Sequence, residues 1–228
     1  MRNIPVFAIQ PSVICCDLCN LENEIRRWEK AGVKSLHVDV LDGAFAPSLP
    51  VGIDTFLQLS ERTDLPFDVH IMSLNNPWFI EQCLRMRPAR ICFQAEEEKE
   101  PLERLRQIRD AGIPAGIALS PSTPLESVKE LIDQADHLLL MRIKPGYAGF
   151  ADESVTVDME TRIASARAML DSGRPGRDII IDGRVTLKDI KELRKRGATC
   201  FVGGSRSLFS SKDYSGNYLS ACRMYTED

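Results

Sequence analysis

The stretch that decides the fold is SLHVDVLDGAFAPS, residues 35–48. Apolar residues at positions 36, 38 and 40 alternate with His37 and Asp39. Residues two apart share one face of a strand, so His37 and Asp39 are predicted to point the same way. Asp42 and Gly43 then predict a turn. We therefore expect a strand that carries an imidazole and a carboxylate towards its carboxyl end.

Two other segments repeat this arrangement. Residues 67–72, FDVHIM, place His70 near the end of a strand, and residues 179–183, IIIDG, place Asp182 there. Two imidazoles and two carboxylates thus lie at the ends of three predicted strands.

Strand and helix patterns alternate along the whole chain. The predicted strands are 6–9, 35–40, 67–72, 90–94, 114–119, 137–143, 178–181 and 199–202. The predicted helices are 21–31, 53–62, 77–86, 102–111, 125–134, 157–172 and 187–196, with a final helical stretch after Ser205. Eight such units without a linker predict a parallel sheet closed into a single-domain (β/α)8 TIM barrel over residues 1–228. A doubly wound sheet is the alternative, but residues 11–14, PSVI, lack its glycine-rich turn.

Composition narrows the possible partners and the compartment. The net charge of −4 over 228 residues gives no reason to expect nucleic acid or an anionic membrane as partner. No apolar run approaches the ~20 residues of a membrane span, and the first residues are too interrupted for a signal peptide. Seven irregularly spaced cysteines predict reduced thiols in a cytoplasmic protein. Cys16 and Cys19 have metal or redox spacing, but no second pair accompanies them, which favours loop packing.

The active site of such a barrel lies at the carboxyl ends of its strands. His37, Asp39, His70 and Asp182 are all predicted there. This donor set suits one divalent metal ion, Zn, Fe(II), Mn or Co. A single histidine at a strand end is usually just hydrogen-bonded, and Asp before Gly is usually a turn residue, but four such residues together favour a metal site. His137 opens a strand at the opposite end and is predicted to be structural.

Small-residue loops after the last three strands predict an anion site, because their backbone N–H groups bind phosphate. Lysine and arginine side chains beside these loops either strengthen the site or are solvated loop charges. The loop residues are Gly146, Gly149, Gly183, Gly203, Gly204 and Ser205, and the flanking cations are Lys144, Arg184 and Arg206.

A divalent metal beside two carboxylates indicates carbanion chemistry. The metal polarises a carbonyl and stabilises the enediolate that forms when the adjacent C–H loses its proton. Inverting a stereocentre needs groups on both faces of the planar intermediate, and Asp39 and Asp182 come from well-separated strands.

The sequence resembles the ribulose-phosphate 3-epimerase family over nearly its whole length. The segments that carry the resemblance are residues 11–12, 37–43, 68–72, 141–149, 182–183 and 204–205. The resemblance implies a barrel that interconverts D-ribulose 5-phosphate and D-xylulose 5-phosphate, in a chain that forms homo-oligomers. It implies metal ligands at His37, Asp39, His70 and Asp182, and an acid/base pair at Asp39 and Asp182. It also implies substrate contacts at Ser12, Met72, Met141, Gly146, Gly149, Gly183, Gly204 and Ser205.

Departures from the family pattern lie almost entirely in the substrate loops and leave the metal ligands intact. They are Leu41, Ala44, Ser48, Gln94, Lys144, Phe150, Arg184 and Arg206. A 3-epimerase of a hexulose 6-phosphate, such as allulose 6-phosphate, is therefore an alternative, and so is a non-catalytic paralogue that binds a sugar phosphate. A decarboxylase or aldolase of the same barrel group is disfavoured, because the sequence has no Asp-x-Lys-x-x-Asp pattern.

Overall fold

The computed structural model describes residues 5–146 and 157–227. These residues form eight parallel strands in the order β1-β8-β7-β6-β5-β4-β3-β2. The strands are β1 (Ile9–Pro11), β2 (Leu36–Leu41), β3 (Phe67–Met72), β4 (Arg90–Gln94), β5 (Ala115–Leu119), β6 (His137–Met141), β7 (Asp178–Asp182) and β8 (Cys200–Gly203). The helices are α1 (Leu21–Ala31), α2 (Ile53–Ser60), α3 (Asn76–Leu84), α4 (Pro101–Asp110), α5 (Lys129–Gln134), α6 (Met159–Ser172), α7 (Leu187–Lys195) and α8 (Tyr214–Thr226). The predicted (β/α)8 barrel is confirmed.

The barrel closes between its first two strands. β1 pairs in parallel with β8, and it meets β2 through a single parallel bridge between Ser12 and His37. Closure therefore brings the end of β1 beside the polar residues of β2.

The strands are buried on both faces, as expected for a parallel sheet covered by helices. Their outward side chains pack against the helices in one large apolar core. Their inward side chains form a second core inside the barrel, which consists of Cys92, Ala118, Leu139, Met141, Ile143, Ile180, Cys200 and Val202.

Helix α7 begins at a capping box. The backbone N–H of Asp189 donates to the Thr186 hydroxyl over 3.2 Å, and the backbone N–H of Thr186 donates to the Asp189 carboxylate over 2.8 Å. The two bonds satisfy free backbone donors at the helix start, and they fix the loop that leaves β7.

Three predicted elements need correction. The first strand is Ile9–Pro11 rather than 6–9, because the segment before it turns back through a bond from the Ala8 N–H to the Pro5 carbonyl. The predicted helix 125–134 is a 3-10 turn, Leu125–Val128, followed by α5. After β8, hydrogen-bonded turns around Gly204 precede α8, so no helix begins directly at Ser205.

All seven cysteines are free, in agreement with the predicted reduced thiols. Cys16 is buried and Cys19 is exposed. Within residues 5–146 and 157–227, no helix has both the length and the apolar character needed to cross a membrane.

His137 fills the amino-terminal end of the barrel, as predicted for a structural residue. A Cβ atom on Gly116 would lie 2.3 Å from His137 Nε2, so the imidazole occupies the space that this glycine leaves on the neighbouring strand. Burial, together with the nearby Arg90 guanidinium, lowers the pKa of His137 to about 4. The imidazole is therefore neutral in the folded protein at neutral pH.

This buried histidine should make stability depend on pH. Between the folded pKa of about 4 and the unfolded value of about 6.5, only the unfolded chain binds the proton, so acid favours unfolding. We expect His137 to remove about 3 kcal/mol of stability as the pH falls through this window. Urea unfolding at pH 7 and pH 4 should show a smaller pH effect in His137→Gln than in the wild type. Equal pH effects in the two proteins would contradict the assignment.

Candidate active site and metal centre

Strands β2, β3 and β7 bring the four predicted metal ligands together at their carboxyl ends. Strands β2 and β3 pair so that Asp39 lies beside His70, while Asp182 is the last residue of β7. One ligand atom from each of His37, Asp39, His70 and Asp182 lies within 4.8 Å of the others. The sequence prediction that these residues meet is confirmed.

Asp39 lies at the centre of this cluster. Its Oδ1 atom is 3.3 Å from His37 Nε2 and 3.4 Å from His70 Nδ1. His70 Nδ1 is also 3.8 Å from Asp182 Oδ2. On the other side, the Ser12 hydroxyl donates to Asp39 Oδ2 over 2.8 Å. Ser12 therefore orients this carboxylate from the barrel seam.

The two carboxylates differ in proton affinity. Burial alone would raise the pKa of Asp39, but the imidazoles of His37 and His70 outweigh it and lower that pKa well below its usual range. Burial and the negative charge of Asp39 raise the pKa of Asp182 to about 6. Pairs whose environments separate their proton affinities are suited to acid/base work.

The residues present fit a divalent cation. Both ring nitrogens of His37 and of His70 are buried without a hydrogen-bond partner among the described residues, which is unusual for buried polar atoms. His37 Nε2 and His70 Nδ1 both face the Oδ1 atom of Asp39. Two imidazoles and two carboxylates match the ligand preferences of Zn, Mn, Fe(II) and Co.

A buried charge network supports His37 from below. His37 Nδ1 lies 3.6 Å from Asp68 Oδ2, and Asp68 in turn pairs with Arg90 over 2.7 Å. Arg90 also binds Asp178 over 2.8 Å. Burial would raise the pKa of Asp68, but Arg90 and His37 lower it well below its usual range. A carboxylate behind a ligand histidine fixes its ring orientation and raises its basicity.

Sequence reasoning missed the role of this network. The sequence marks Asp68 only as part of a family motif and Arg90 only as the start of a strand. The alternation in each strand indicates which face these residues occupy, because Asp68 shares a face with His70 and Arg90 shares one with Gln94. The alternation did not reveal that these faces meet inside the barrel.

A cavity of about 330 Å³ opens above the cluster. Asp39 and Asp182 reach it, whereas His37 and His70 are fully buried. Nearly all the predicted substrate residues line it: Ser12, Met72, Met141, Gly146, Gly183, Arg184, Gly204 and Ser205. Gly149 and Phe150 lie outside the described residues. Lys144, Arg206 and the buried Gln94 are not among the described residues that line the cavity.

Several lining residues were not predicted. They include Ile14, Cys15, Pro50, Ile143 and Val202, together with Leu41 and Ser48, which the sequence marked only as departures. Burial and the charge of Asp39 raise the pKa of the Cys15 thiol to about 11. Cys15 is therefore a neutral wall residue at physiological pH, since nucleophilic attack requires the thiolate.

Fold and site together define a class of protein. It is a (β/α)8-barrel enzyme whose ionisable groups stand at the carboxyl ends of the strands, beneath a cavity bordered by small-residue loops.

Comparisons with known proteins name the family. A sequence model of the ribulose-phosphate 3-epimerase family matches residues 8–209. The ribulose-phosphate 3-epimerase of Helicobacter pylori (strain J99) is 33% identical over 205 residues, covering 90% of this chain and 92% of that protein. The enzyme of the same name from Mycobacterium tuberculosis (strain H37Rv) is 32% identical over 197 residues, covering 86% and 84%. The chain belongs to the ribulose-phosphate 3-epimerase family.

A likeness to solved structures supports the fold alone. The 3-hexulose-6-phosphate synthase of Salmonella typhimurium superposes with a TM-score of 0.66 at 14% identity, covering 96% of this chain and 98% of that one.

Asp68 should matter for metal affinity. We expect Asp68→Asn to weaken binding of Zn or Mn by about tenfold to hundredfold, because His37 loses the carboxylate that orients it. Competition with a chromogenic chelator measures this affinity directly. Asp178→Asn is the matched control, because it also removes a partner of Arg90 but lies at the opposite end of β7 from Asp182. Unchanged affinity in Asp68→Asn, or an equal loss in the control, would refute the role of Asp68.

Proposed function

We propose that the protein is a metal-dependent ketose-phosphate 3-epimerase that interconverts D-ribulose 5-phosphate and D-xylulose 5-phosphate by proton transfer at C3. Family membership and the names of the relatives support this substrate. The observation that carries the proposal is the pair Asp39 and Asp182, which line one cavity and meet His37 and His70, with one ligand atom from each residue within 4.8 Å of the others.

The two carboxylates divide the proton transfers between them. Asp39 stays ionised and accepts the C3 proton. The electron pair of the broken C3–H bond shifts towards the adjacent carbonyl to form an enediolate. Asp182, the carboxyl whose pKa is raised, delivers a proton to the other face of C3, which inverts that centre and restores the carbonyl. In the reverse direction the two residues exchange roles, so one proton is taken and one is returned in each turnover.

A divalent cation held by His37, Asp39, His70 and Asp182 supplies, when bound, Lewis acidity that stabilises the negative charge of the enediolate. The chain itself positions the reacting carboxylate, because Ser12 holds Asp39 Oδ2. Met72 and Met141 form apolar walls beside the carboxylates. Excluding water from this floor strengthens the electrostatic interactions at the reacting carbon.

The phosphate end of the substrate belongs at the loops after β7 and β8. Gly183, Gly204 and Ser205 border the cavity there, and backbone N–H groups of such loops bind phosphate oxygens. Arg184 also lines the cavity, and a guanidinium can bind a phosphate through two donors. Arg184 is accordingly proposed as a phosphate ligand.

Two alternative functions are distinguished by the assays described below. A larger hexulose 6-phosphate is the alternative substrate, because the changed residues are concentrated in the substrate loops. A non-catalytic sugar-phosphate binder would bind ligand without exchanging its C3 proton. A cytoplasmic location and homo-oligomeric assembly are part of the proposal, and light scattering tests the assembly.

The proposed reaction predicts deuterium exchange at C3. With metal-loaded protein and ribulose 5-phosphate in D2O, proton NMR should show loss of the C3 signal while xylulose 5-phosphate appears. Asp182→Asn should reduce turnover by about three orders of magnitude or more, because it removes a proton donor that acts together with Asp39.

Near-normal turnover in Asp182→Asn would refute the two-carboxylate mechanism. Exchange with allulose 6-phosphate but not with ribulose 5-phosphate would shift the substrate to the hexulose. Binding of either sugar without exchange, in protein shown to contain metal, would indicate the non-catalytic function.

The proposed phosphate contact predicts the behaviour of Arg184→Gly. Loss of the guanidinium should raise KM for the sugar phosphate about tenfold while kcat changes little, because a charge-assisted contact remote from C3 is lost. Arg206→Gly is the matched control, since Arg206 follows the same phosphate loops without lining the cavity. An unchanged KM in Arg184→Gly would make Arg184 a solvated loop charge.

A further inference from the structure

We propose that Arg142 is a positioning residue for the phosphate site. It ties the turn at Gly183 and Arg184 to the first turn of α7, and so holds Arg184 where the substrate phosphate binds. The inference rests on the proposed function, because it assumes that this end of the cavity receives a phosphate.

The Arg142 guanidinium joins two segments that follow β7. Nη1 and Nη2 donate to the two oxygens of Asp189 over 2.8 and 3.0 Å. Nη1 also donates to the backbone carbonyl of Arg184 over 3.0 Å. Arg142 is 8% exposed. A fork-shaped, charge-assisted pair of this kind has a defined geometry as well as strength, so it fixes the carbonyl of Arg184 relative to α7.

The turn that Arg142 holds has an unfavourable backbone. Gly183 has φ +101° and Arg184 has φ +51°. A residue with a long side chain rarely adopts a positive φ, and it persists there only when its surroundings impose it. The hydrogen bond from Arg142 Nη1 is made to the carbonyl of Arg184, the strained residue itself. Arg142 can therefore stabilise the positive φ directly.

Position 142 contacts the same turn through its backbone. The Arg142 N–H donates to the Asp182 carbonyl over 2.8 Å. A Cβ atom on Gly183 would lie 3.4 Å from the Arg142 nitrogen and 2.8 Å from Ile143 Cγ1. The turn therefore packs directly on the residues that follow β6. The backbone of Arg142 holds the Asp182 carbonyl and its side chain holds the Arg184 carbonyl, one on each side of Gly183.

Asp189 is held independently of Arg142. It belongs to the capping box with Thr186, whose two hydrogen bonds do not involve the guanidinium. Loss of Arg142 should therefore release the turn at Arg184 while leaving the start of α7 capped. For this reason we expect a defect in phosphate binding rather than unfolding.

The experiment is a double-mutant cycle between Arg142 and Arg184, with inorganic phosphate as the probe. Phosphorus NMR titration gives the dissociation constant in metal-loaded protein, and steady-state assays with ribulose 5-phosphate give kcat and KM. Arg142→Gln should weaken phosphate binding and raise KM by about tenfold, with kcat within about twofold of wild type. In an Arg184→Gly background the same change should have less than about a twofold effect, because the residue it positions is gone.

Two results would overturn the inference. One is phosphate affinity within twofold of wild type in Arg142→Gln. The other is an equal loss in both backgrounds, which would show that Arg142 does not act through Arg184. If the wild type binds no phosphate and does not act on ribulose 5-phosphate, the proposed function falls and this inference falls with it.

Two further variants separate positioning from folding. Arg142→Lys keeps the charge but lacks the fork, so it should fold and still lose most of the phosphate affinity. Arg109→Gln breaks a comparable pair, with Arg109 2.9 and 3.3 Å from the oxygens of Asp136, which lies just before β6 at the opposite end of the barrel. It should leave phosphate binding unchanged, and a loss equal to that of Arg142→Gln would count against positioning.

Discussion

The structure depends on keeping the Asp39 carboxylate ionised in the interior of the barrel. Burying a charge without partners is costly. Asp39 is compensated by Ser12, which follows β1, on one side and by the imidazoles of His37 in β2 and His70 in β3 on the other. These contacts also constrain the fold. A shift of one residue in the register between β2 and β3 would turn His70 away from Asp39, so the carboxylate fixes the pairing that creates the site.

A second set of charged residues forms ion pairs deeper in the barrel. Asp68, Arg90 and Asp178 link β3, β4 and β7 below the four-residue cluster. Removing one member of a buried ion pair costs about 3–5 kcal/mol, because the remaining charge is left without compensation. The same charges stand behind His37, so the interactions that hold the strands together also set the orientation of a predicted ligand.

Much of the fold and the four-residue cluster was predictable because both follow from local patterns. Alternation in β2 placed His37 and Asp39 on one face, and repeated strand–helix units implied a barrel that collects strand ends. The ion pairs were not predictable in this way. Arg90 and Asp178 are 88 positions apart, and neither residue's neighbours reveal the pairing. The ion pair between Arg142 and Asp189 likewise joins residues 47 positions apart, one after β6 and one in α7, and no short pattern encodes it.

The proposed reacting groups and the proposed phosphate contacts occupy different parts of the molecule. The four clustered residues project from strands that are buried on both faces, whereas Arg184 and its neighbours lie in loops at the rim. Mutations in the loops can therefore accumulate one at a time without disturbing the strands. Changes in the loops can thus alter which sugar is bound while the four clustered residues stay the same. We therefore expect sequence divergence in the family to lie mainly in the loops after β6, β7 and β8.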